Sequence, residues 1–472
     1  MGRPGLKVRL RLADDGRNFT AMRFRYGKFL LAGLGIAMLA EVAFMAVAAR
    51  AKSAPSDSGA ITYIGTDSNV YYCAGDCSKP ECLTCPIEGE HVRSKPRGGI
   101  VAADFRPTES SDHSVSQYGW PTFSPDGTRI AYSSVTRTQG GASFALWVYN
   151  LKQREAIQIF ESRTEHIDYI YWLPGGQRLS FLLSEPAGLS LMLAEVKEHA
   201  PIRIVMTGMP MYFAWGPSPG RLAVHTAGSD PESSEHVSLV SLTDTSQNLD
   251  KVLSHGRTPF KTPCWSPDGK HLAWVANNLA EGNLVVGDAD AAHPRSIVSL
   301  PIGDSSFVWS PDSRHIAYAT TVIPHDPTFH GIKLVDVVNA NSRTLTRDVA
   351  LAYFFSPDGR YLAYVEVPED KPFYTWKAID LKTGKISSLC NFVSTQEESI
   401  SYRFFDQLAL SHTIWSPDSR AIVFAGVRLL AEPNHALGMA PPPSVWIVPI
   451  DGGKPRSVGR GTVAYYAPAV PK

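Results

Sequence analysis

Four cysteines stand close together near the start of the chain and are the residues best suited to covalent or metal chemistry. Their spacing is Cys73-x3-Cys77-x4-Cys82-x2-Cys85. In an oxidising compartment such a cluster forms two disulfides, and four cysteines allow three pairings. A tetrathiolate zinc site is the alternative, because Cys82 and Cys85 have knuckle-like spacing, whereas that of Cys73 and Cys77 is less typical. We therefore favour two disulfides, with zinc binding or free redox-active thiols left open.

Six further residues stand shortly before aromatic–proline turns that recur along the chain. These candidate ligand-binding residues are His166, Asp168, Tyr212, Lys261, Asp304 and His412. Histidine and aspartate hold metals and move protons in many active sites. Each histidine taken singly is explained more simply as an ordinary strand-end or surface residue. Any joint role depends on the elements that carry these residues.

Those elements are organised around one stretch. The motif W-S-P-D-G begins at Trp265 and leads into an apolar run that starts at Leu272. Pro267 restricts φ to about −65°, Asp268 can accept hydrogen bonds from its own backbone, and Gly269 can take a positive φ. The motif therefore predicts the end of one strand, a tight turn and the start of the next.

The motif recurs along most of the chain. Close copies begin at Phe123, Trp309, Phe355 and Trp415, and more divergent copies begin at Trp172 and Trp215. The prolines of successive copies are 43 to 60 residues apart. A repeat of this length, made of short strands and turns, is typical of a β-propeller with one four-stranded blade per repeat.

The pattern W-S-P-D-G-x-x-I-A-Y resembles the PD40 (WD40-like) repeat of TolB-like β-propellers. The resemblance covers roughly residues 60–468 and implies an all-β fold. The family includes protein-binding envelope components, the propeller halves of prolyl peptidases and a few stand-alone lyases. The resemblance therefore indicates the fold and leaves the function open.

The two ends of the repeat region are expected to share a blade. Residues 60–64 resemble the second strand of a repeat without its turn, and Tyr466-Ala467-Pro468 stands in place of W-S-P near the end of the chain. Pairing of these strands would close the ring. This arrangement predicts eight blades; the alternative is seven, with residues 60–98 as an appended hairpin.

The N-terminal part predicts a membrane anchor. Residues 1–28 form a basic tail, residues 29–49 are long and apolar enough to cross a bilayer, residues 50–59 form a flexible linker, and residues 60–472 form the propeller. The positive-inside rule places the tail in the cytoplasm and the propeller in the periplasm or outside the cell. The alternative is a signal peptide cleaved near Ala48, which would leave a secreted or periplasmic protein.

Composition and missing motifs narrow the function. Lys+Arg and Asp+Glu both number 45, so the net charge of zero argues against a nucleic-acid partner. The chain has no G-x-S-x-G, Walker or H-E-x-x-H motif, and we assign no catalytic residue and no cofactor.

The favoured function is a membrane-tethered propeller that binds a protein, peptide or glycan of the cell envelope without catalysis. The alternative is a carbohydrate lyase or hydrolase that holds a divalent metal at the channel mouth. His166, Asp168 and His412 would have to meet in one pocket for that alternative.

Overall fold

A computed structural model of the chain describes residues 59–86, 115–186, 188–227, 235–242, 249–255, 261–278, 281–301, 304–322, 326–429 and 441–469. The chain divides into two compact units, residues 1–54 and 55–472. All described residues belong to the second unit, and the architecture below is that of this unit alone.

The described residues are almost entirely strands. The first three are β1 (Ile61–Gly65), β2 (Val70–Cys73) and β3 (Glu81–Cys82). Four antiparallel sheets of four strands follow: β4 (Val115–Phe123), β5 (Arg129–Thr138), β6 (Gly141–Asn150) and β7 (Glu155–Ser162); β8 (His166–Trp172), β9 (Arg178–Glu185), β10 (Gly188–Glu195) and β11 (Arg203–Gly208); β12 (Met211–Trp215), β13 (Arg221–Thr226), β14 (His236–Ser241) and β15 (Leu249–His255); β16 (Cys264–Trp265), β17 (His271–Asn278), β18 (Glu281–Asp288) and β19 (Arg295–Leu300).

The later strands form one continuous sheet. They are β20 (Ser305–Trp309), β21 (His315–Thr320), β22 (Phe329–Asp336), β23 (Ser342–Phe355), β24 (Tyr361–Glu366), β25 (Tyr374–Asp380), β26 (Ile386–Ser394), β27 (Ala421–Leu429), β28 (Ser444–Pro449) and β29 (Arg456–Tyr466), with the helices α1 (Gln396–Arg403) and α2 (Phe405–Leu408) between β26 and β27. The sheet order runs from β20 to β29 and continues through β1, β2 and β3.

Long strands make this sheet continuous. Residues 342–350 of β23 pair with β22, and residues 350–355 pair with β24. In the same way, the first part of β29 pairs with β28 and its last part pairs with β1, with Ile61 opposite Tyr466 and Ile64 opposite Val463. The last strand of one repeat thus passes directly into the first strand of the next.

The recurring turn is held by its own side chains. Ser266 Oγ donates to Asp268 Oδ1 at 2.6 Å and accepts from the backbone N–H of His271 at 3.0 Å. Asp268 Oδ1 also accepts from the N–H of Lys270 at 3.1 Å, and Gly269 has a φ of 71°. The serine, aspartate and glycine therefore fix the reversal locally, as the sequence predicted.

The tryptophans of the motif join neighbouring repeats. The indole N–H of Trp309 donates to the backbone oxygen of Cys264, and that of Trp415 donates to the backbone oxygen of Phe354, each at 3.2 Å. In both cases the acceptor immediately precedes the motif aromatic of the preceding repeat. These sheets, turns and inter-repeat contacts confirm the all-β propeller fold; the number of blades stays a prediction.

The prediction of a single-pass membrane protein is wrong for the part of the chain described here. No helix in the described ranges is long and apolar enough to span a membrane. The helices α1 and α2 have eight and four residues. Residues 1–28, 29–49 and 50–58, on which the tail, anchor and linker were predicted, lie outside the described residues.

Candidate functional site

The centre of the propeller is occupied by the chain's own residues 395–412, here called the central segment. It leaves β26, forms α1 and α2, and leads to the motif at Trp415. The hydroxyl of Thr395 caps α1 by accepting from the N–H of Glu398 at 3.2 Å, and it donates to the backbone oxygen of Thr462 at 2.5 Å. Side-chain capping explains why a helix begins here within an all-β chain.

Gln407 anchors the central segment to two first strands of different sheets. Its Oε1 accepts from the N–H of Phe213 at 2.8 Å, and its Nε2 donates to the backbone oxygen of Phe213 at 2.8 Å. Its Nε2 also lies 3.2 Å from the hydroxyl of Tyr169. The amide therefore completes the hydrogen bonding of β12 in the way that a neighbouring strand would.

Further contacts place the central segment against other first strands. Asp406 Oδ2 accepts from the N–H of Thr262 at 3.3 Å, just before β16. The backbone oxygen of Ser411 accepts from Thr122 Oγ1 in β4 at 2.6 Å. The ring of Phe405 packs 4.7 Å from that of Tyr353 in β23. Strands from so many sheets can meet one short segment only where they converge, which is the channel.

A buried carboxyl group lies at the start of the central segment. Glu398 is 1% exposed, and its Oε1 accepts from the N–H of Ala425 at 2.7 Å. Burial raises the pKa of Glu398 to about 8, because the charged form is poorly solvated there. Nearby, Ser401 Oγ lies 2.7 Å from the hydroxyl of Tyr465 in β29. The centre of the fold therefore contains a carboxyl group that is mostly protonated at neutral pH.

Three of the predicted ligand-binding residues stand at or just before the starts of first strands, and one of them, Tyr212, contacts the central segment. The ring of Tyr212 is 6.4 Å from that of Phe404, which joins α1 to α2 and is 39% exposed. Burial, followed by the charges of Asp406 and Asp304, raises the pKa of Tyr212. Lys261 Nζ lies 5.5 Å above the ring of Phe329.

We call Tyr212, Lys261, Asp304 and Phe404 the channel-mouth group. It contains two aromatic rings, one cation and one carboxylate. Aromatic rings are enriched at interfaces, so Tyr212 and Phe404 are the members of this group best suited to contact a partner.

The other predicted polar residues do not join this group. His166 Nδ1 lies 2.8 Å from Asp168 Oδ1, and both side chains are substantially exposed at the start of β8. His412 is buried, its Nδ1 lies 2.6 Å from Ser411 Oγ, and burial lowers its pKa to about 3. His412 is therefore a neutral residue of the core, whereas the His166–Asp168 pair is exposed to solvent.

Metal ligands are not assembled in the part of the chain that can be described: no three His, Cys, Asp or Glu side chains there are placed to share an ion. The four clustered cysteines form two disulfides, Cys73–Cys77 and Cys82–Cys85. This pairing uses every sulfur that a tetrathiolate zinc site would need as a free thiolate. It confirms the prediction of disulfides and selects one of the three pairings.

Several residues of this site were missed in the sequence. Glu398, Asp406 and Gln407 carry the contacts of the central segment, and His225 accepts from the N–H of Lys261 at 3.1 Å. Burial lowers the pKa of His225 to about 4. Two signals pointed to the central segment: the 60-residue spacing before the motif at Trp415, and a Thr395-x-x-Glu398 capping pattern.

Comparison with known proteins gives likenesses of fold. No family model matches the chain, and no curated protein matches it. Among solved structures, TolB from Acinetobacter baumannii is 17% identical, with 73% of this chain and 84% of that chain covered and a TM-score of 0.38.

Two enzymes are similar at the same level. An oligogalacturonate lyase in complex with manganese is 15% identical over 70% of this chain and 87% of that chain, with a TM-score of 0.46. A prolyl endopeptidase is 13% identical over 74% of this chain and 50% of that chain, with a TM-score of 0.47. These likenesses do not choose between binding and catalysis.

Proposed function

We propose that this protein is a non-catalytic binding or scaffold module that docks a protein or peptide on the channel-mouth group. One observation supports the proposal most directly: Phe404 keeps 39% of its surface exposed, whereas the neighbouring rings of Tyr402 and Phe405 are each 1% exposed. An exposed aromatic ring beside Tyr212 has the composition of an interface hot spot, in which aromatic residues are enriched.

The central segment supports a peptide partner in particular. Its Gln407 completes the backbone hydrogen bonds of Phe213. The strand β12 is therefore already hydrogen-bonded to another segment of the chain at the channel. We infer that a partner continues this contact outward from Phe404. The two disulfides indicate that the partner is bound in an oxidising compartment.

We also infer that the propeller has eight blades. Four sheets contain four strands each, and the continuous sheet divides into four further groups where β23 and β29 change partners and where Trp415 bridges to Ile422. A crystal structure of the full chain tests this count, and a seventh blade closing directly on the first would contradict it.

Binding is tested by affinity capture of envelope proteins on the immobilised full-length protein. We expect a partner to be retained by the wild type and by Val338→Ala, but about tenfold less by Phe404→Ala. Val338 is a matched control because it is 68% exposed on the turn between β22 and β23. Equal retention by the two variants, or no reproducible partner, would contradict the proposal.

A further inference from the structure

The two disulfides lie in different surroundings although both close very short loops. Cys73 and Cys77 are 2% and 3% exposed and pack in the core between β1, β27 and β28. Cys82 and Cys85 are both only partly buried. Cys82 lies in β3, the last strand in the order of the continuous sheet. Of the two bonds, Cys82–Cys85 is therefore the more accessible to an incoming thiol.

The loop that carries Cys82–Cys85 is held without its disulfide. Leu83 N–H donates to the backbone oxygen of Val70 at 2.8 Å, and Thr84 Oγ1 accepts from the N–H of Val70 at 2.9 Å. Thr84 also donates to Asn69 Oδ1 at 3.0 Å. Both residues between the cysteines are thus fixed to the start of β2, so the two sulfurs would stay close together after reduction.

A hydroxyl group stands beside one of these sulfurs. The hydroxyl oxygen of Tyr71 is 3.9 Å from Cys85 Sγ and donates to Asp67 Oδ2 at 2.8 Å. The ring of Tyr71 is held by stacking on Tyr63, with centroids 5.0 Å apart. This hydroxyl can turn its proton toward a thiolate that forms at Cys85, which makes Cys85 the better leaving group.

We propose that Cys82–Cys85 is a thiol–disulfide exchange site that oxidises a dithiol of a partner protein or peptide, whereas Cys73–Cys77 is structural. The Cys-x-x-Cys spacing, the partial exposure and the pre-fixed loop all favour exchange over simple cross-linking. The inference adds an exchange activity at β3 to the binding proposed at the channel-mouth group; only that group is proposed as non-catalytic, and neither proposal depends on the other.

The reaction balances without any bound cofactor. A substrate thiolate attacks Cys82 Sγ, the Cys82–Cys85 bond breaks, and its electron pair leaves on Cys85 as a thiolate, which takes a proton from water. The second substrate thiolate then attacks the substrate sulfur of the mixed disulfide and releases Cys82 as a thiolate. The substrate becomes a disulfide and the site a dithiol, which a small-molecule disulfide such as oxidised glutathione returns to the starting state.

The first test compares the two disulfides in the wild-type, full-length protein. Samples are treated with dithiothreitol for increasing times, alkylated, and examined by peptide mass spectrometry and circular dichroism. We expect Cys82–Cys85 to open about tenfold faster than Cys73–Cys77, with the β-sheet spectrum unchanged. Opening of both bonds at one rate, or opening only with loss of the spectrum, would overturn the proposal.

The second test traps the intermediate. Cys85→Ser removes the leaving thiol, so Cys82 should accumulate a mixed disulfide with oxidised glutathione, and the double variant Cys82→Ser/Cys85→Ser should not. One equivalent of wild-type protein should also oxidise a reduced dithiol peptide, unlike the double variant. Equal oxidation by both proteins, or no adduct at Cys82, would refute the assignment.

Discussion

Glu398 is a carboxyl group enclosed by the centre of the propeller. Its surroundings include Tyr402 and Tyr465, and its Oε1 accepts a backbone hydrogen bond from Ala425. A hydrogen bond from a backbone N–H favours the charged form, but burial has the larger effect and favours the neutral form. The proton on Glu398 is therefore part of what keeps the central segment in place.

This proton makes stability depend on pH. The pKa of Glu398 is raised from an ordinary value of 4.5 to about 8, so the folded state holds a proton that the unfolded state loses. The stabilisation that this proton provides is fully present below about pH 4.5, and it declines as the pH rises toward 8. The slope contributed by one such proton is about 1.4 kcal/mol per pH unit at most.

Glu398→Gln keeps an acceptor for Ala425 and cannot ionise. We expect wild type and variant to have similar free energies of unfolding near pH 5 and the variant to be more stable at pH 9. Urea denaturation at several pH values measures both. If the two proteins lose stability in parallel across this range, Glu398 is not the group responsible.

At the scale of the element, the recurring turn also joins neighbouring repeats. Where serine replaces the motif glycine, at Ser313 and Ser419, the residue keeps a positive φ of 56° and 61°. The Ser313 hydroxyl accepts from the N–H of Asp268 at 2.9 Å, and that of Ser419 accepts from the N–H of Asp358 at 3.0 Å. Serine at these positions thus adopts an unfavourable backbone conformation but gains a hydrogen bond to the preceding turn.

Two substitutions at Ser313 separate the effect of its hydrogen bond from the effect of its positive φ. Ser313→Gly loses the hydrogen bond but relieves the backbone, whereas Ser313→Ala loses the bond and keeps the positive φ. We expect the alanine variant to be less stable than the glycine variant by about 1 kcal/mol. Thermal unfolding of these variants, with the same pair at Ser419 as a replicate, checks the difference. Equal stabilities would mean that the positive φ is not retained.

At the scale of the molecule, the central segment connects sheets that are distant in sequence. It contacts residues in or just before first strands, namely Thr122, Tyr169, Phe213, Thr262, Tyr353 and Tyr465. Because the segment comes from one sheet and contacts several others, it fills the channel with packed side chains at the depth of these contacts. Without it, several backbone groups of the first strands would lose their buried partners.

Replacing residues 396–410 by a Gly/Ser linker of equal length tests this role. We expect the variant to unfold at a lower temperature with a broader transition and to bind a hydrophobic dye, because the rings facing Phe405 would be uncovered. Phe404→Ala is the control, since it changes an exposed residue and should unfold as the wild type does. A linker variant with unchanged cooperative unfolding would contradict a packed channel.

The repeat, the turns and the strand character were determined by the sequence alone, because they rest on short-range chemistry. Pro267, Asp268 and Gly269 act within a few residues of one another, so their pattern identifies a turn wherever it occurs. The same locality explains why the all-β propeller fold followed from repeats beginning at residues such as Trp309 and Trp415.

The site was decided by the tertiary structure, because its contacts join residues far apart in the chain. Gln407 and Phe213 are separated by 194 positions, and Thr122 and Ser411 by 289. No local pattern encodes which strand a side chain will meet across a channel. The sequence could therefore name Tyr212, Lys261 and Asp304 only as candidates near strand starts. Only the folded chain revealed the central segment beside them and separated His412 from the exposed residues.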